Sequence, residues 1–521
     1  MAKILFINPV VREEDDPKHV PYGMALLAAI ARDEGHLVQV YDANAWRAGS
    51  EVLREVCAAD RWDVIAVGGI TTAYGSIKEI VEIAREEQKE SVIVCGGGVL
   101  TSLPKEIMGW LRQIDVGVVG EAYLTLPELL SFVDQGCRDW AKIPGTVSFR
   151  EDKLVYGPQR DLLEELDTLP FPAWDLFPVE EVYFRNSAVM YSEEGMMSRR
   201  RLDINGSYGC SMICRYCYHL GIAGDMRYEE QDGEVRVAFD EPGKYTRTIR
   251  YHSPEYIVRL AKHAHDTYGV DFIAFLDENL MTMNRSSGGT WLREICRLWH
   301  EYGLAPKKRP DGSWEGVYWS GTSHATLCDF DMLKEMRAAG CSYLIYGYES
   351  FSPQVMKTVG KGATPKTNIR SFFRTLEAGI RPIPNQIIGF PTEDFASIRA
   401  NMDAWDRLGI VVKPFFATAY PGSEWFRVFR EEIEAQYDGD LERYVLDLGD
   451  ATRITSVISK NFNAIELYGI REAMVTKSYR ILERYEQEWR RRHQIPTDQP
   501  STLLAPAKKA KKKPMLRVVS G

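Results

Sequence analysis

Short apolar runs alternate with stretches of helical period over residues 1–150. The runs Ile4-Leu-Phe-Ile-Asn8, Leu37-Val-Gln-Val-Tyr41, Val64-Ile-Ala-Val-Gly68, Val92-Ile-Val-Cys95 and Val116-Gly-Val-Val119 read as strands. Helices are expected over 22–34, from Ser50, from Ser76, near 104–111 and from Leu124. Strands and helices in this order predict a doubly wound, Rossmann-like parallel sheet, in which ligands bind beyond the carboxyl ends of the strands. Four of those ends carry small or turn residues: Asn8-Pro9, Gly68-Gly69-Ile70-Thr71-Thr72, Gly96-Gly97-Gly98 and Gly120-Glu121. Each alone is as well explained by a tight turn. Together on one edge they favour a flat, extended ligand, and the absence of G-x-G-x-x-G after the first strand disfavours a dinucleotide.

Residues 151–200 read as a connector with strand character, rich in proline and aromatics at Leu169-Pro-Phe-Pro-Ala-Trp-Asp-Leu-Phe-Pro178. The alternation then resumes, with strands at Leu202–Ile204, Phe272–Leu276, Val317–Ser320, Tyr343–Tyr346, Pro384–Ile388 and Pro414–Ala417, and helices from Pro254, Asp331, Thr364 and Ser397. Six strands with intervening helices suit a partial (β/α)6 TIM-type barrel over 201–425, whose chemistry would sit at the strand C-terminal ends. A polar insertion over 225–251 interrupts it. A helical region over 426–495 follows, its helix near 465–492 expected on the outside. The tail, 496–521, turns to Pro, Ala and Lys and reads as disordered.

Composition narrows the function classes. The chain has 521 residues, 45% hydrophobic and 26% charged, which is ordinary globular composition. Its 64 Lys and Arg against 74 Asp and Glu leave a net charge of −10, unlike a general nucleic-acid binder. No stretch approaches the ~20 apolar residues of a membrane span, and the N-terminus lacks a signal-peptide core, so a cytoplasmic protein with no membrane partner is expected. The nine cysteines are no disulfide framework in a chain of this length. Six are scattered, but Cys210, Cys214 and Cys217 lie within eight residues.

In Gly206-Ser-Tyr-Gly-Cys210-Ser-Met-Ile-Cys214-Arg-Tyr-Cys217 three soft thiolates share one loop, just after the first barrel strand. Such a set can hold three irons of a 4Fe-4S cluster and leave the fourth open to a ligand. Zinc would want a fourth ligand, and the nearby candidate, His219, lies awkwardly close.

The C-x3-C-x2-C loop with Tyr216 before its third cysteine resembles that of the radical S-adenosylmethionine enzymes. Phe275-Leu-Asp-Glu-Asn279, Gly347-Tyr-Glu-Ser350, Ile388-Gly-Phe-Pro-Thr-Glu393 and Ala417-Thr-Ala-Tyr-Pro-Gly422 follow in that family's order. The resemblance implies a cluster on Cys210, Cys214 and Cys217. It implies S-adenosylmethionine contacts from Tyr216, Asp277, Glu278, Asn279, Ser320, Glu349, Ser350, Gly389 and Tyr420, and no catalytic residue beyond the cluster loop. The N-terminal domain resembles the cobalamin-binding domain of the cobalamin-dependent members, with Pro21, Tyr22, Gly23, Thr71, Thr72, Gly97, Gly98, Gly120 and Glu121 as implied contacts. It departs from the corrinoid D-x-H-x-x-G motif: Asp16, His19 and Gly23 stand at D-x2-H-x3-G spacing, so His19 reads as an ordinary loop residue and the lower cobalt face as lacking a protein imidazole.

The resemblance implies reductive cleavage of S-adenosylmethionine to a 5′-deoxyadenosyl radical and cobalamin-dependent methylation of a small-molecule substrate, with flavodoxin or ferredoxin as electron donor. The alternatives are oxidative cyclisation or rearrangement with the same machinery, and a non-catalytic corrinoid or cluster carrier. A methylthiotransferase is disfavoured, since Cys57, Cys95 and Cys137 are far apart. Cys328 or Cys341 could serve a cobalamin-free methylase, though buried packing is the simpler role for both. The 225–251 and 425–495 segments are expected to shape the substrate pocket, with Tyr218, His219 and Arg250 as candidates to face it.

Overall fold

The computed structural model describes residues 1–212, 214–217, 226–231, 234–239, 249–283, 287–311 and 314–503. Tyr218, His219, the turn signals Asp232-Gly233 and Glu241-Pro-Gly243 of the 225–251 insertion and the lysine-rich part of the tail lie outside these residues.

The N-terminal sheet is built on β1 (Lys3–Asn8), β2 (Leu37–Asp42), β3 (Val64–Gly68), β4 (Val92–Gly96) and β5 (Val116–Val118), all parallel, in the order β2-β1-β3-β4-β5. Helices cover both faces, so the central strands are buried on both sides and apolar at nearly every position. The sheet does not stop at five strands. β6 (Thr146–Arg150) and β7 (Lys153–Tyr156) extend it antiparallel past β5, so the strand character read in the connector belongs to this sheet. Glu151 and Asp152, both at positive φ, form the tight turn that joins them.

The connector then runs through short single turns between Leu166 and Asn186. Its prolines keep it from forming longer elements, while Trp174, Phe177, Tyr183 and Phe184 are buried. These side chains join Tyr22 and Leu26 of the first domain and Leu202, Ile257 and Leu260 of the second in one apolar core. Tyr183 donates to Asp42 at 2.6 Å across the same seam. Burial holds the Asp42 carboxyl above its ordinary range.

The second domain opens with β8 (Arg201–Ile204). A two-residue strand, β9 (Ser207–Tyr208), pairs antiparallel with β12 (Arg250–Tyr251), and between them β10 (Met226–Gln231) and β11 (Glu234–Phe239) form a hairpin. Beyond β13 (Phe272–Phe275), the short β14 (Lys307–Lys308) and β15 (Trp314–Glu315) pair with each other. β16 (Tyr318–Ser323), β17 (Cys341–Glu349), β18 (Arg381–Ile388) and β19 (Phe415–Phe416) complete a curved parallel sheet in the order β8-β13-β16-β17-β18-β19. This is the expected six-stranded partial barrel. Its floor is filled by Phe272 and Tyr343, stacked at 5.8 Å, with Val189 beneath Tyr318, Ile345 and Ile383.

The C-terminal region is not confined to the outside. Phe426, Ile433, Tyr444 and Val445 pack against Tyr74, Ile77 and Leu103 of the N-terminal domain. Tyr74 and Lys78 both reach Glu442 at 2.7 Å, and Arg430 meets Glu106 at 2.9 Å. The helix Ala464–Val475 sends Leu467 against the end of β18, and the helix Tyr479–His493 buries Trp489 beside Phe395. The apolar periodicity of these helices marks a covered face without naming its partner.

Candidate active site

β8 delivers the chain to Gly206, and Asp277, at the end of the adjacent β13, takes hold of it. One carboxylate oxygen accepts from the Gly206 amide at 2.9 Å and the other from the Ser207 hydroxyl. Full burial pushes the Asp277 carboxyl up to about 7, against the pull of those two donors. Gly209 then turns the chain at a φ of +96°, a conformation that favours glycine, and its amide donates to Glu278 at 3.2 Å.

Cys210, Cys214 and Cys217 follow around one wall of a cavity of about 420 Å³. The Met212 amide donates to the Cys210 sulfur at 3.4 Å, and Asn279 and Thr282 approach that sulfur at 3.9 Å. Among the described residues, no three His, Cys, Asp or Glu side chains are gathered tightly enough for a single metal ion. Three cysteine sulfurs on one loop would instead hold a 4Fe-4S cluster, whose irons take thiolate ligands. The donor set fits that group.

The other walls come from strand ends: Leu276–Asn279 after β13, Thr322–His324 on β16, Gly347 on β17 and Asn385 on β18, with Lys361 closing one side. Asn279 is buried, and its Oδ1 has no hydrogen-bond partner among the described residues. An unanswered acceptor on the cavity wall suits the ammonium end of an amino-acid ligand.

Glu349 ends β17 at a φ of +58°, a strained position for a residue with a side chain. The Tyr216 hydroxyl at 2.7 Å and the Lys361 ammonium at 2.6 Å both donate to its Oε1. Burial would lower the Lys361 pKa, but Glu349 and the nearby cysteine sulfurs raise it, so the lysine stays charged. His324 fixes the segment that carries it, its Nε2 donating to the Lys361 carbonyl at 3.0 Å. No sequence motif pointed to Lys361, His324 or Asn385. They reach the site only because β16, β17 and β18 lie side by side.

Of the residues the resemblance implied for S-adenosylmethionine, Tyr216, Asp277, Glu278 and Asn279 line the cavity. Both Asp277 oxygens are engaged in holding the cysteine loop. Glu349 lies behind Tyr216 and Lys361. Ser320 is buried on β16, two residues short of the lining residue Thr322. Ser350 turns its hydroxyl outward to Asn401 at 3.0 Å. Gly389 sits at a φ of +92° under Leu467, and Tyr420 donates to the Gly449 carbonyl at 2.7 Å. Cys341 is fully buried, and Cys328 contacts the Tyr346 hydroxyl at 3.0 Å, with burial pushing its thiol up to about 11.

The strand ends of the N-terminal sheet form a second concentration of site residues. A Cβ on Gly68 would lie 2.7 Å from the Gly96 carbonyl oxygen, and one on Gly97, at a φ of +80°, 2.8 Å from the Gly69 backbone. Neither strand end can carry a side chain there. Gly97 and Gly98 begin the helix Gly97–Ser102 directly, where the sequence read as turn residues at a strand end. The hydroxyls of Thr71 and Ser102 are buried without partners among the described residues. Thr72 is partly buried, and Pro21 precedes the helix Tyr22–Asp33, in which the Tyr22 hydroxyl is buried and Gly23 exposed. Gly120, at a φ of +83°, donates its amide to Thr101 at 3.0 Å. Glu121 commits its carboxylate to Arg250. A closely packed edge bare of side chains, with two unanswered hydroxyls, fits a large flat ligand with a polar tail such as cobalamin. His19 is more than a plain loop residue: its Nδ1 meets Asp203 at 2.6 Å. Burial would raise the Asp203 pKa, but His19 and Arg201 bring it below its ordinary value.

Comparison with known proteins matches residues 9–130 to the B12 binding domain family and 204–404 to the Radical SAM superfamily. An uncharacterized methyltransferase of Pyrococcus horikoshii is 25% identical over 405 residues, covering 77% of each chain. The anaerobic magnesium-protoporphyrin IX monomethyl ester cyclase of Rubrivivax gelatinosus is 22% identical over 452 residues, covering 85% of this chain and 72% of its own. Among solved structures, the radical S-adenosylmethionine methyltransferase TsrM of Kitasatospora setae, with tryptophan substrate and an S-adenosylmethionine analogue bound, superposes with a TM-score of 0.63. It is 20% identical, over 83% of this chain and 77% of that one.

Proposed function

The chain belongs to the cobalamin-binding radical S-adenosylmethionine enzymes, and we propose that it is a methyltransferase acting on an unactivated centre of a small molecule. When bound, the cluster and S-adenosylmethionine supply a 5′-deoxyadenosyl radical, and cobalamin supplies the methyl group to be transferred. Cys210, Cys214 and Cys217 hold the cluster. Asn279 and Glu278 receive the ammonium of the methionine moiety and Lys361 its carboxylate, while Thr71, Ser102 and the Gly68–Gly97 edge receive cobalamin. The protein's part is to orient these groups and keep water out, because a primary radical attacks whatever it touches.

One observation carries the proposal: the three cysteines, the unanswered Asn279 Oδ1 and the buried Lys361 ammonium border a single cavity. Methyltransferases among the relatives and structural neighbours favour methyl transfer over the other outcomes. The nearest rival, oxidative cyclisation with the same cofactors, is favoured by the cyclase relatives.

The experiment is anaerobic reconstitution with iron, sulfide and hydroxocobalamin, followed by a product assay under a low-potential reductant. Methyl transfer yields S-adenosylhomocysteine together with 5′-deoxyadenosine, whereas cyclisation yields 5′-deoxyadenosine alone. Iron and corrinoid bound without cleavage of S-adenosylmethionine would make the chain a carrier. In the cell the electron would come from a flavodoxin or ferredoxin in the reducing cytoplasm, a reading supported by cysteines that form no disulfide among the described residues. No helix among those residues is long and apolar enough to cross a membrane.

A further inference from the structure

Tyr208 and Arg250 face each other in the two-residue ladder of β9 and β12, and one loop of the other domain holds both. Arg250 forks onto Glu121, with Nη1 to Oε2 at 2.9 Å, and also donates to the Leu163 carbonyl at 2.6 Å. Tyr123 donates its hydroxyl to the Tyr208 hydroxyl at 3.0 Å. Arg250 lies over the Tyr208 ring at 5.6 Å, so the four side chains form one connected set. Glu121 and Tyr123 follow β5 of the N-terminal domain, whereas Tyr208 stands two residues ahead of Cys210.

The ion pair is largely withheld from water: the Arg250 side chain is 7% exposed and Glu121 16%. A forked, sheltered Arg–carboxylate pair fixes direction in a way an exposed one does not. The ladder it supports is two residues long, too short to be rigid alone, and its exit is Gly209 at positive φ. Asp277 and Glu278 of the barrel hold Gly206, Ser207 and the Gly209 amide, and the Tyr208 side chain between them is held from the other domain.

We propose that Glu121 and Tyr123 are positioning residues for the cluster: through Arg250 and Tyr208, the N-terminal domain sets where Cys210 stands relative to Cys214 and Cys217. The inference rests on the reading of the cysteine loop given above. It assigns the Glu121 carboxylate to the domain seam, leaving only the backbone of Gly120 and Glu121 to face a ligand at the sheet edge.

The test uses the full chain, reconstituted anaerobically with iron and sulfide. An E121Q/Y123F double variant and R250K are compared with wild type in iron content, thermal unfolding and the electron paramagnetic resonance spectrum of the reduced cluster, before and after S-adenosylmethionine. The double variant is expected to fold and keep its iron, to give an altered spectrum with S-adenosylmethionine, and to need about tenfold more of it for half-saturation. R250K, which keeps the charge and loses the fork, falls between. A double variant with the wild-type spectrum and half-saturation overturns the proposal, as does one that loses iron only in proportion to lost folded protein. Failure of the underlying reading looks different: wild type itself would take up no iron or give no spectral change with S-adenosylmethionine.

Discussion

The Tyr216 hydroxyl donates to Glu349 Oε1 at 2.7 Å, tying the aromatic residue between the second and third cysteines to the end of β17. The same oxygen takes the Lys361 ammonium, so one carboxylate joins the cysteine loop, a barrel strand and the cavity's buried cation.

Y216F removes one donor and leaves the lysine pair intact. S-adenosylmethionine half-saturation should rise by about tenfold, the size expected for one hydrogen bond at a buried charge, with iron content unchanged. Equilibrium binding to the reduced protein measures it, and an unchanged affinity would show that Tyr216 has no part in the site.

E349Q strands the Lys361 ammonium in a buried position. Breaking one side of a buried ion pair costs about 3–5 kcal/mol, so E349Q should be destabilised far more than Y216F. Denaturant unfolding of the two variants decides this. The double variant E349Q/K361M should recover part of the loss, because it removes the uncompensated charge.

Glu393 is fully buried, with Oε2 accepting from the Gly389 amide at 2.6 Å and Oε1 without a partner among the described residues. Burial pushes its carboxyl up to about 8. A folded pKa above the unfolded value means the native state holds a proton that the unfolded chain has lost. This contribution to stability is complete below pH ~4 and fades as pH rises towards 8. E393Q carries a permanently neutral group of the same shape, so it should lose less stability than wild type between pH 5 and 8. Parallel unfolding curves for the two proteins across that range would refute the assignment.

G97A places a methyl group 2.8 Å from the Gly69 backbone at a φ of +80°. Both effects oppose the close approach of β3 and β4 at the sheet edge. Hydroxocobalamin retention after desalting should fall at least about tenfold, while iron content and uncoupled 5′-deoxyadenosine formation persist, because the barrel is untouched. Equal loss of iron and corrinoid would mean that the substitution unfolds the protein generally.

Replacing Cys210, Cys214 and Cys217 together by alanine should abolish both iron uptake and 5′-deoxyadenosine formation. Iron analysis and chromatography of the reaction check this, and continued cleavage would place the cluster elsewhere.

Sequence alone determined what is local. Strands such as Val64–Gly68 and Phe272–Phe275 announce themselves by apolar runs of fixed length, and three thiolates within eight residues must share a loop whatever surrounds them. The order of motifs at strand ends added the barrel and its edge, because a parallel β/α repeat puts every such end on one side. Only tertiary structure decided which side chains meet. Tyr216 and Glu349 are 133 residues apart and Arg250 and Glu121 are 129 apart, and nothing in either segment encodes the register that joins them. For the same reason Lys361 was invisible, Asp277 turned to the loop it supports, and the C-terminal helices closed over both domains. Periodicity specifies that a face will be buried, whereas the burial of many faces at once selects the partner.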